Sequence, residues 1–399
     1  MRTTQIMFVL LCFVLKVTAA ELRSAEERTL GNVLAAPAIL HAGESPIDVG
    51  GFAAPFFSDI DNDGKRDLLV GQLEHGRLRI YPNVGTNEQP KFDSFEWFRA
   101  GGRIAGIPSG CRVGFTPQVV DYDGDGLSDI VTGSFNGAVL YVFRRQHDGT
   151  FAEAEVLEDK FGNVTFLDSR YNSTLFVHDW DSNGALDLIT GRRAAWVRNE
   201  GTTENPIYGQ QVSFLDKQQR MPYGAPVVAD WDGDGLHDLL IAGRDVVWYR
   251  NVGEQRNPIL DSPKVLISNA DSRYLFESED EVKRDWPAMT YSICVTDFDN
   301  DGLSDILLGD WYTTKRDFTN EQSEALRPQR ALRSKFARGY HRLMKESHKG
   351  ESRLERITSF RNSLREWDEL ASTQFDGPQA AGHRLVRHGG VWFFRRLEE

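Results

Sequence analysis

Four aspartates are crowded into the stretch DIDNDGKRDLLVG, which runs from position 59 to position 71. Counted from the first, they stand at positions 1, 3, 5 and 9 of a short loop, and a glycine follows the third. Side chains at positions 1, 3 and 5 of a tight loop converge on one centre, while the glycine at position 6 permits the sharp bend. This donor set suits Ca²⁺, a hard cation that accepts about 6–8 oxygen ligands. Without an ion, the clustered carboxylates would repel one another and raise each other's pKa values.

Nearly the same phrase occurs five times in the chain. The later copies are DYDGDGLSDIVTG from Asp121, DWDSNGALDLITG from Asp179, DWDGDGLHDLLIAG from Asp230 and DFDNDGLSDILLG from Asp297. A single copy can arise as a solvated turn, whereas five copies with the fourth acid in register predict a repeated site for up to five Ca²⁺ ions. The third copy carries Asn183 in place of one aspartate and is expected to bind most weakly.

The predicted ligands of each loop are the side chains at positions 1, 3, 5 and 9 and the backbone carbonyl at position 7. By loop, they are Asp59, Asp61, Asp63, Lys65 and Asp67; Asp121, Asp123, Asp125, Leu127 and Asp129; Asp179, Asp181, Asn183, Ala185 and Asp187; Asp230, Asp232, Asp234, Leu236 and Asp238; and Asp297, Asp299, Asp301, Leu303 and Asp305.

The residues that follow each loop exclude the helix-loop-helix calcium motif. That motif begins in the same way but requires an acid at position 12. In the five copies position 12 is valine, threonine, isoleucine or leucine, within a run such as LLVG that is typical of a strand. The acidic loops are therefore predicted to join one strand to the next.

The segments around each loop predict four short strands per repeat. An apolar run precedes the loop, a second follows it, an aromatic and β-branched run such as RLRIY or VVWY makes a third, and an Asn-x-Gly turn leads to a fourth. A single sheet of this kind has open edges and an uncovered face, which radial packing of several sheets covers. The sequence thus predicts an all-β, five-bladed β-propeller of four-stranded antiparallel blades. The predicted blades lie near 50–110, 111–170, 171–220, 221–285 and 286–399.

The fifth blade is interrupted and lacks a fourth strand of its own. GGVWFFRR, near the C-terminus, matches the third-strand phrase of the other repeats. The N-terminal segment 33–40 is therefore predicted to close the ring beside 391–395. Within this blade, 313–380 carries apolar residues at helical spacing and predicts an α-helical insertion, with 14 Lys and Arg against 9 Asp and Glu between 313 and 375. The favoured interpretation is a helical hairpin docked on the acidic propeller, and the alternative is a partner-binding arm.

The N-terminus and the composition bear on location and partners. Residues 1–20 combine Arg2, a short apolar run and small residues, as in a secretory signal peptide, with a buried N-terminal helix as the alternative. A propeller domain over 21–399 without a membrane-spanning segment would then be secreted, periplasmic or at the cell surface. The net charge of −13 argues against nucleic acid as a partner. Cys111 and Cys294 could pair, but two buried free thiols are the favoured interpretation.

The repeated phrase resembles the FG-GAP/VCBS repeats of the integrin α-subunit type of calcium-binding β-propeller, which are found in many secreted bacterial proteins. The resemblance covers residues 33 to about 310 and the strand near the C-terminus. It implies a propeller with Ca²⁺ in the blade hairpins. It specifies fold better than function, because such propellers serve adhesion, sugar binding and lyase catalysis.

Three functions are compatible with the residues. The favoured one is a secreted, non-catalytic binding or adhesion module for an extracellular glycan or protein, because the recurring polar residues belong to the metal loops. The first alternative is a polysaccharide-degrading lyase or hydrolase with a histidine or tyrosine base. The second is a scaffold that recruits a partner through the basic insertion. The histidines available as a base are His75, His178, His237, His341, His348, His383 and His388.

Position 2 of four loops is aromatic. These side chains are possible stacking platforms for a sugar ligand, but packing between neighbouring blades is the favoured interpretation. They are Tyr122, Trp180, Trp231 and Phe298.

Overall fold

The fold was taken from a computed structural model of the chain. The structure describes residues 33–73, 76–107, 114–134, 139–157, 174–191, 195–214, 224–269, 273, 275–276, 278, 282, 285–315, 379–380 and 385–398. The predicted signal peptide, 1–20, lies outside this part of the chain. Within it, no helix has the length and apolar character needed to cross a membrane.

Regular structure in the described residues consists of short β-strands. They are β1 (Ala38–Ile39), β2 (His41–Ala42), β3 (Ser45–Pro46), β4 (Ala54–Ser58), β5 (Asp67–Gly71), β6 (Leu78–Tyr81), β7 (Glu96–Trp97), β8 (Arg99–Ala100), β9 (Arg103–Ile104), β10 (Pro117–Val120), β11 (Asp129–Ser134), β12 (Val139–Phe143), β13 (Glu155–Val156), β14 (Leu175–His178), β15 (Asp187–Thr190), β16 (Ala195–Asn199), β17 (Tyr208–Ser213), β18 (Ala225–Ala229), β19 (Asp238–Ala242), β20 (Val246–Tyr249), β21 (Lys264–Ile267), β22 (Leu275–Phe276), β23 (Met289–Thr296), β24 (Asp305–Lys315), β25 (Gln379–Ala380), β26 (Leu385–His388) and β27 (Val391–Phe394).

Five antiparallel sheets form the blades. Blades one to four are β4-β5-β6-β7, β10-β11-β12-β13, β14-β15-β16-β17 and β18-β19-β20-β21. Blade five is β23-β24-β27-β1. In every blade the acidic loop connects the first strand to the second. The predicted five-bladed propeller of four-stranded sheets is confirmed.

The second strand of each blade lies deepest in the core. All five residues of β5 and of β19 are buried, and so are the first four residues of β24. Each of these strands packs on both faces against neighbouring blades. Its sequence is therefore continuously apolar and does not alternate between apolar and polar residues. The acidic loops are thus attached directly to a deeply buried strand of each sheet.

A glycine follows the apolar run of several of these second strands, at a point where a neighbouring backbone passes close by. A Cβ atom added to Gly71 would lie 1.8 Å from the carbonyl oxygen of Phe115, in the connector of blade two. A Cβ atom on Gly309 would lie 1.8 Å from the carbonyl oxygen of Ala53, in the connector of blade one. The glycine of the repeated L-L-x-G pattern therefore lies where the backbones of two adjacent blades are in contact.

The N-terminal strand closes the ring. Ala38 and Ile39 of β1 pair antiparallel with Phe393 and Trp392 of β27, as predicted. Beyond the blade, β24 continues to Lys315 and pairs with β26 and, in parallel, with β22. The predicted helical insertion lies mostly outside the described residues. Its described parts, 313–315 and 379–380, lie in strands, and the helical insertion stays a prediction.

Candidate metal centre

Each acidic loop is bent by residues in the left-handed region of backbone space. The glycine at position 6 has φ between 86° and 90° in all five loops, as Gly64 does at 88°. Position 4 is also left-handed, with Asn62 at 62° and Gly124 at 74°. Glycine and asparagine tolerate this conformation, whereas β-branched residues do not. The repeated glycine is thus required by the turn itself.

The carboxylate at position 1 holds the loop in shape from inside. In blade one, Asp59 Oδ1 accepts a hydrogen bond from the Asp63 amide at 3.1 Å, and Oδ2 accepts one from the Gly64 amide at 2.9 Å. The same arrangement recurs in the other loops, as between Asp297 and the Gly302 amide at 3.0 Å. Backbone donors that converge on one carboxylate fix its position before any ligand arrives.

The carboxylate at position 9 is buried and joins two parts of the blade. Asp238, fully buried, accepts hydrogen bonds from the Trp231 amide in the loop at 3.2 Å and from the Asn251 amide after the third strand at 2.7 Å. Burial raises the pKa of these carboxyl groups, to about 6 for Asp129 and to about 7 for Asp187. A cation beside them would favour the ionised form.

Three carboxylates converge in each loop. Candidate ligand oxygens lie within 4.8 Å of one another for positions 1, 3 and 9 in blades one, two, three and five, and for positions 1, 3 and 5 in blade four. The groups are Asp59, Asp61 and Asp67; Asp121, Asp123 and Asp129; Asp179, Asp181 and Asp187; Asp230, Asp232 and Asp234; and Asp297, Asp299 and Asp305. The loops therefore bring together most of the predicted side-chain ligands, while the position-7 carbonyls stay a prediction.

Three position-3 carboxylates, each a member of one of these groups, have a buried oxygen without a partner among the described residues. Asp181 Oδ1, Asp232 Oδ1 and Asp299 Oδ1 are buried and have no hydrogen-bond partner among the described residues. The Asp181 residue is only 4% exposed. A buried carboxylate oxygen without a donor costs free energy, which a bound cation would offset. The donor set, all oxygen and mostly anionic, fits a hard divalent cation such as Ca²⁺.

Residues 121–190, from the second acidic loop through the strand after the third, match the family model of the FG-GAP-like repeat. The chain contains an FG-GAP-like repeat. The three remaining acidic loops, in blades one, four and five, and the strands that follow them show the same pattern in the structure. No curated protein matches the chain significantly.

Solved structures with some similarity to this FG-GAP-like repeat chain share little sequence with it. A structure of an Agrocybe aegerita lectin, described as recognising non-reducing terminal N-acetylglucosamine, is 17% identical, with a TM-score of 0.35 over 65% of this chain and 77% of the lectin. BBS1N in complex with ARL6DN is 12% identical, with a TM-score of 0.32 over 69% and 80%. The V. cholerae biofilm matrix protein Bap1 is 14% identical, with a TM-score of 0.26 over 69% of this chain but 38% of Bap1.

An arginine contacts the acidic loop in four blades, a role that the sequence analysis did not assign. Arg144 pairs with Asp123, and Arg198 Nη2 lies 2.7 Å from Asp181 Oδ2. Arg250 and Arg395 each contact the position-3 and the position-5 carboxylate of their own loop. The signal was present in the third-strand phrase, where arginine follows the aromatic run in YVFRR, WVRN, VWYRN and WFFRR.

The position-2 aromatics belong to the core. Tyr122 and Trp180 are 1% exposed, Trp231 is 2% exposed and Phe298 is 5% exposed. They pack in the clusters between blades, and the Tyr122 hydroxyl lies 2.6 Å from that of Tyr208. Buried rings offer no face to a ligand, which corrects the stacking alternative and supports the interpretation as packing residues.

The described histidines considered as catalytic bases are engaged in structural contacts. His178 Nε2 lies 3.1 Å from His237 Nδ1 across the interface of blades three and four, and burial lowers the pKa of His178 to about 4. His388 Nδ1 lies 2.7 Å from Asp48 Oδ2, and its Nε2 lies 3.0 Å from the Thr314 hydroxyl. We call Asp48, Thr314 and His388 the clasp. The other predicted histidines, His75, His341, His348 and His383, lie outside the described residues.

The clasp has the connectivity of an acid–base–hydroxyl chain, but its hydroxyl and imidazole are shielded from solvent and only the Asp48 side chain, 34% exposed, reaches it. Thr314 is fully buried, His388 is 6% exposed, and Tyr312 stacks on the imidazole with ring centroids 4.7 Å apart. Asp48 also accepts hydrogen bonds from the Gly389 and Gly50 amides. Since residue 48 and residue 388 come from opposite ends of the chain, the clasp joins the termini of the ring.

A narrow cavity of about 160 Å³ is lined by the first strand of every blade. Its wall is mainly apolar, with Phe56 and Phe176 among the lining side chains. Cys294, a buried free thiol as favoured from the sequence, is its only titratable side chain among the described residues. Burial raises the pKa of this thiol to about 12, which suppresses the reactive thiolate. Cys111 lies outside the described residues.

Proposed function

We propose that the chain is an extracytoplasmic, Ca²⁺-stabilised propeller that acts as a non-catalytic binding or adhesion module for a glycan or protein. The assignment of Ca²⁺ sites to the loops rests on the buried, unpartnered carboxylate oxygens at position 3 of three loops. They lie where two further carboxylates converge. Each loop would hold its ion through positions 1, 3, 5 and 9, with the position-7 carbonyl completing the shell.

A bound cation would supply cross-links within each blade. The position-9 carboxylate already connects the loop to the amide that follows the third strand, as Asp305 connects Phe298 and Arg396. An ion held between positions 1, 3 and 9 would tie the first, second and third strands of one blade together. Such a device stabilises a scaffold and requires no chemistry on a substrate.

The binding assignment follows from where the described polar groups are placed. The repeated acids hold the loops. In the clasp, which has the acid–base connectivity a hydrolase or lyase would use, Thr314 and His388 are buried and both imidazole nitrogens have partners. Propellers present the loops between their strands at the two ends of the ring, where binding residues are commonly found. A glycan or protein ligand would be selected by these varying loops.

Calcium titration of the full chain tests the metal part. Calorimetry on metal-free protein should show saturable Ca²⁺ binding, and saturation should raise the melting temperature. An ion that binds only the folded state stabilises it by about 2.7 kcal/mol at a hundredfold excess over Kd. Asp232→Asn should lower the number of bound ions. A melting curve that is the same with Ca²⁺ and with chelator would overturn the metal assignment.

Ligand screening tests the binding part separately. Glycan arrays and pull-downs with the intact chain should be run with Ca²⁺ and with chelator. Recognition of a defined glycan or protein with Ca²⁺ supports the proposal. Turnover of a polysaccharide, with new reducing or unsaturated ends, would instead support the enzyme alternative.

A further inference from the structure

The five acidic loops are not equivalent, because four of them face an arginine and one faces a proline. The residue just after the aromatic run of the third strand is Arg144, Arg198, Arg250 or Arg395 in blades two to five. In blade one it is Pro82. Pro82 and the four arginines occupy corresponding positions in the structure as well. In every blade, the backbone amide of the residue that follows them donates a hydrogen bond to the position-9 carboxylate. These bonds are Asn83 to Asp67 at 2.9 Å, and Arg145 to Asp129, Asn199 to Asp187, Asn251 to Asp238 and Arg396 to Asp305, each at 2.7 Å.

The four guanidinium groups bind the carboxylates that a cation would need. Arg250 Nε lies 2.5 Å from Asp232 Oδ2, and its Nη2 lies 2.9 Å from Asp234 Oδ2. Arg395 repeats this geometry with Asp299 at 2.9 Å and Asp301 at 3.0 Å. Each arginine thus neutralises positions 3 and 5, or position 3 alone, while leaving one position-3 oxygen directed into the loop in blades three to five.

Blade one is organised without such a cation. Among the described residues, no ammonium or guanidinium group lies within ion-pair distance of Asp61 or Asp63. The arginine within this loop, Arg66, stacks over the Phe57 ring at 4.9 Å. The loop is instead covered by a neutral amide: Asn87 donates from Nδ2 to the Gly64 carbonyl and accepts from the Arg66 backbone amide.

We propose that Arg144, Arg198, Arg250 and Arg395 are tethered counter-ions that compete with the divalent cation, so that the Pro82 blade provides the tightest site. This inference rests on the proposed function and deepens it. A guanidinium held at two carboxylates by its own strand is always at high local concentration, and it repels a second cation placed among the same oxygens. A cation entering blade one meets no ion-paired guanidinium among the described residues, whereas in blades two to five it must displace or adjust to an arginine.

The arginines would also allow these four loops to keep their shape when the metal is absent. Their side chains are between 28% and 53% exposed, so each ion pair is weak but can rearrange when an ion arrives. The chain would then bind calcium in two classes, one tight ion and up to four weaker ones. Blade one would be the blade whose order depends most on the ion.

Calcium titration of the full chain against a chromophoric chelator measures both classes. The metal-free wild type should show one tight site and a weaker group. A fourfold variant carrying Arg144→Gln, Arg198→Gln, Arg250→Gln and Arg395→Gln should tighten the weaker group by about threefold to tenfold, the equivalent of losing one or two partly exposed ion pairs. Arg103→Gln is the matched control, because Arg103 pairs with Glu153 at 3.2 Å and contacts no acidic loop among the described residues.

Two further variants locate the tight site. Asp61→Asn should remove the tight ion, whereas Asp123→Asn should remove only a weak one. Pro82→Arg should weaken the tight site relative to Pro82→Gln, which changes the backbone in the same way without adding charge. Thermal melts of each metal-free variant identify any that fail to fold.

The outcomes separate this inference from the proposed function. If calcium binds but all sites are equal and the arginine variants titrate like the wild type, the counter-ion assignment is wrong while the metal proposal stands. If Asp61→Asn leaves the tight ion in place, the tight site is not in blade one and the assignment is equally wrong. If neither wild type nor variants bind calcium, both fail together.

Discussion

Replacing Asp238 by alanine isolates the structural role of the position-9 carboxylate from its role toward a metal. This side chain is fully buried and accepts hydrogen bonds from two backbone amides, those of Trp231 and Asn251. Alanine would leave both amides buried without an acceptor. A hydrogen bond to a charged group contributes about 1.5–3 kcal/mol, so the gross loss is about 3–6 kcal/mol.

Part of this loss is offset in the metal-free protein. Burial raises the pKa of the Asp238 carboxyl group, which means that its ionised form is already unfavourable inside the fold. We therefore expect Asp238→Ala to lower the free energy of unfolding by about 2–4 kcal/mol in chelator. Urea unfolding followed by tryptophan fluorescence measures this change.

The matched control is Asp232→Ala in the same loop. Asp232 makes a partly exposed ion pair with Arg250, and such pairs contribute about 0–1 kcal/mol. In chelator this variant should be nearly as stable as the wild type, and it should fall behind only when Ca²⁺ is added. A loss below about 1 kcal/mol for Asp238→Ala in chelator, or equal losses for the two variants there, would refute the reasoning.

Three further predictions concern positions away from the loops. Burial acts to raise the pKa of Asp48, but the hydrogen bond and charge of His388 and two amides lower it overall; the carboxylate therefore adds stability above its unfolded pKa, and Asp48→Asn should lower the urea midpoint at pH 7 with a deficit that shrinks as pH falls below about 4. Gly309→Ala should lower the melting temperature by several degrees, because the added methyl meets the Ala53 carbonyl; a melting point equal to that of the wild type would contradict the close contact. Cys294 should resist iodoacetamide at pH 8 in the native protein and react after urea unfolding, as mass spectrometry would show, since its thiol has a pKa of about 12.

The ring and its loops could be predicted from the sequence because the relevant signals are local and repeated. The positive φ of Gly64 and Gly126 is implied by a glycine at a fixed place in each acidic phrase. Ring closure was also accessible, since one unpaired strand phrase stood at each end of the chain. The N-terminal strand pairs with a strand about 350 residues later in the chain. This pairing could be predicted without contact information, because the repeat count leaves blade five one strand short.

What the sequence could not provide is the set of contacts that are not repeated. The clasp pairs Asp48 with His388, and no pattern links two residues that occur once each and far apart. The arginines after the third strands are present in the repeated sequence pattern, but the pattern assigns them no role. Their ion-pair partners depend on the position of the third strand relative to the acidic loop. Burial of the position-2 aromatics likewise depends on the neighbouring blade, so the sequence left stacking and packing both open.

The clasp and the metal loops act on different parts of the fold. Asp305 begins β24 at the loop of blade five, and Thr314 lies nine residues further along the same strand. At about 3.3 Å per residue, the two are roughly 30 Å apart, well beyond the distance over which side chains couple directly. Each acidic loop stabilises its own blade, and there are five of them. The clasp occurs once, where the N-terminal and C-terminal parts of the chain meet. Loss of an ion from blades one to four should therefore loosen one blade and leave the ring closed. The blade-five loop is the exception, because its Asp305 accepts the Arg396 amide just after β27, the strand that pairs with β1.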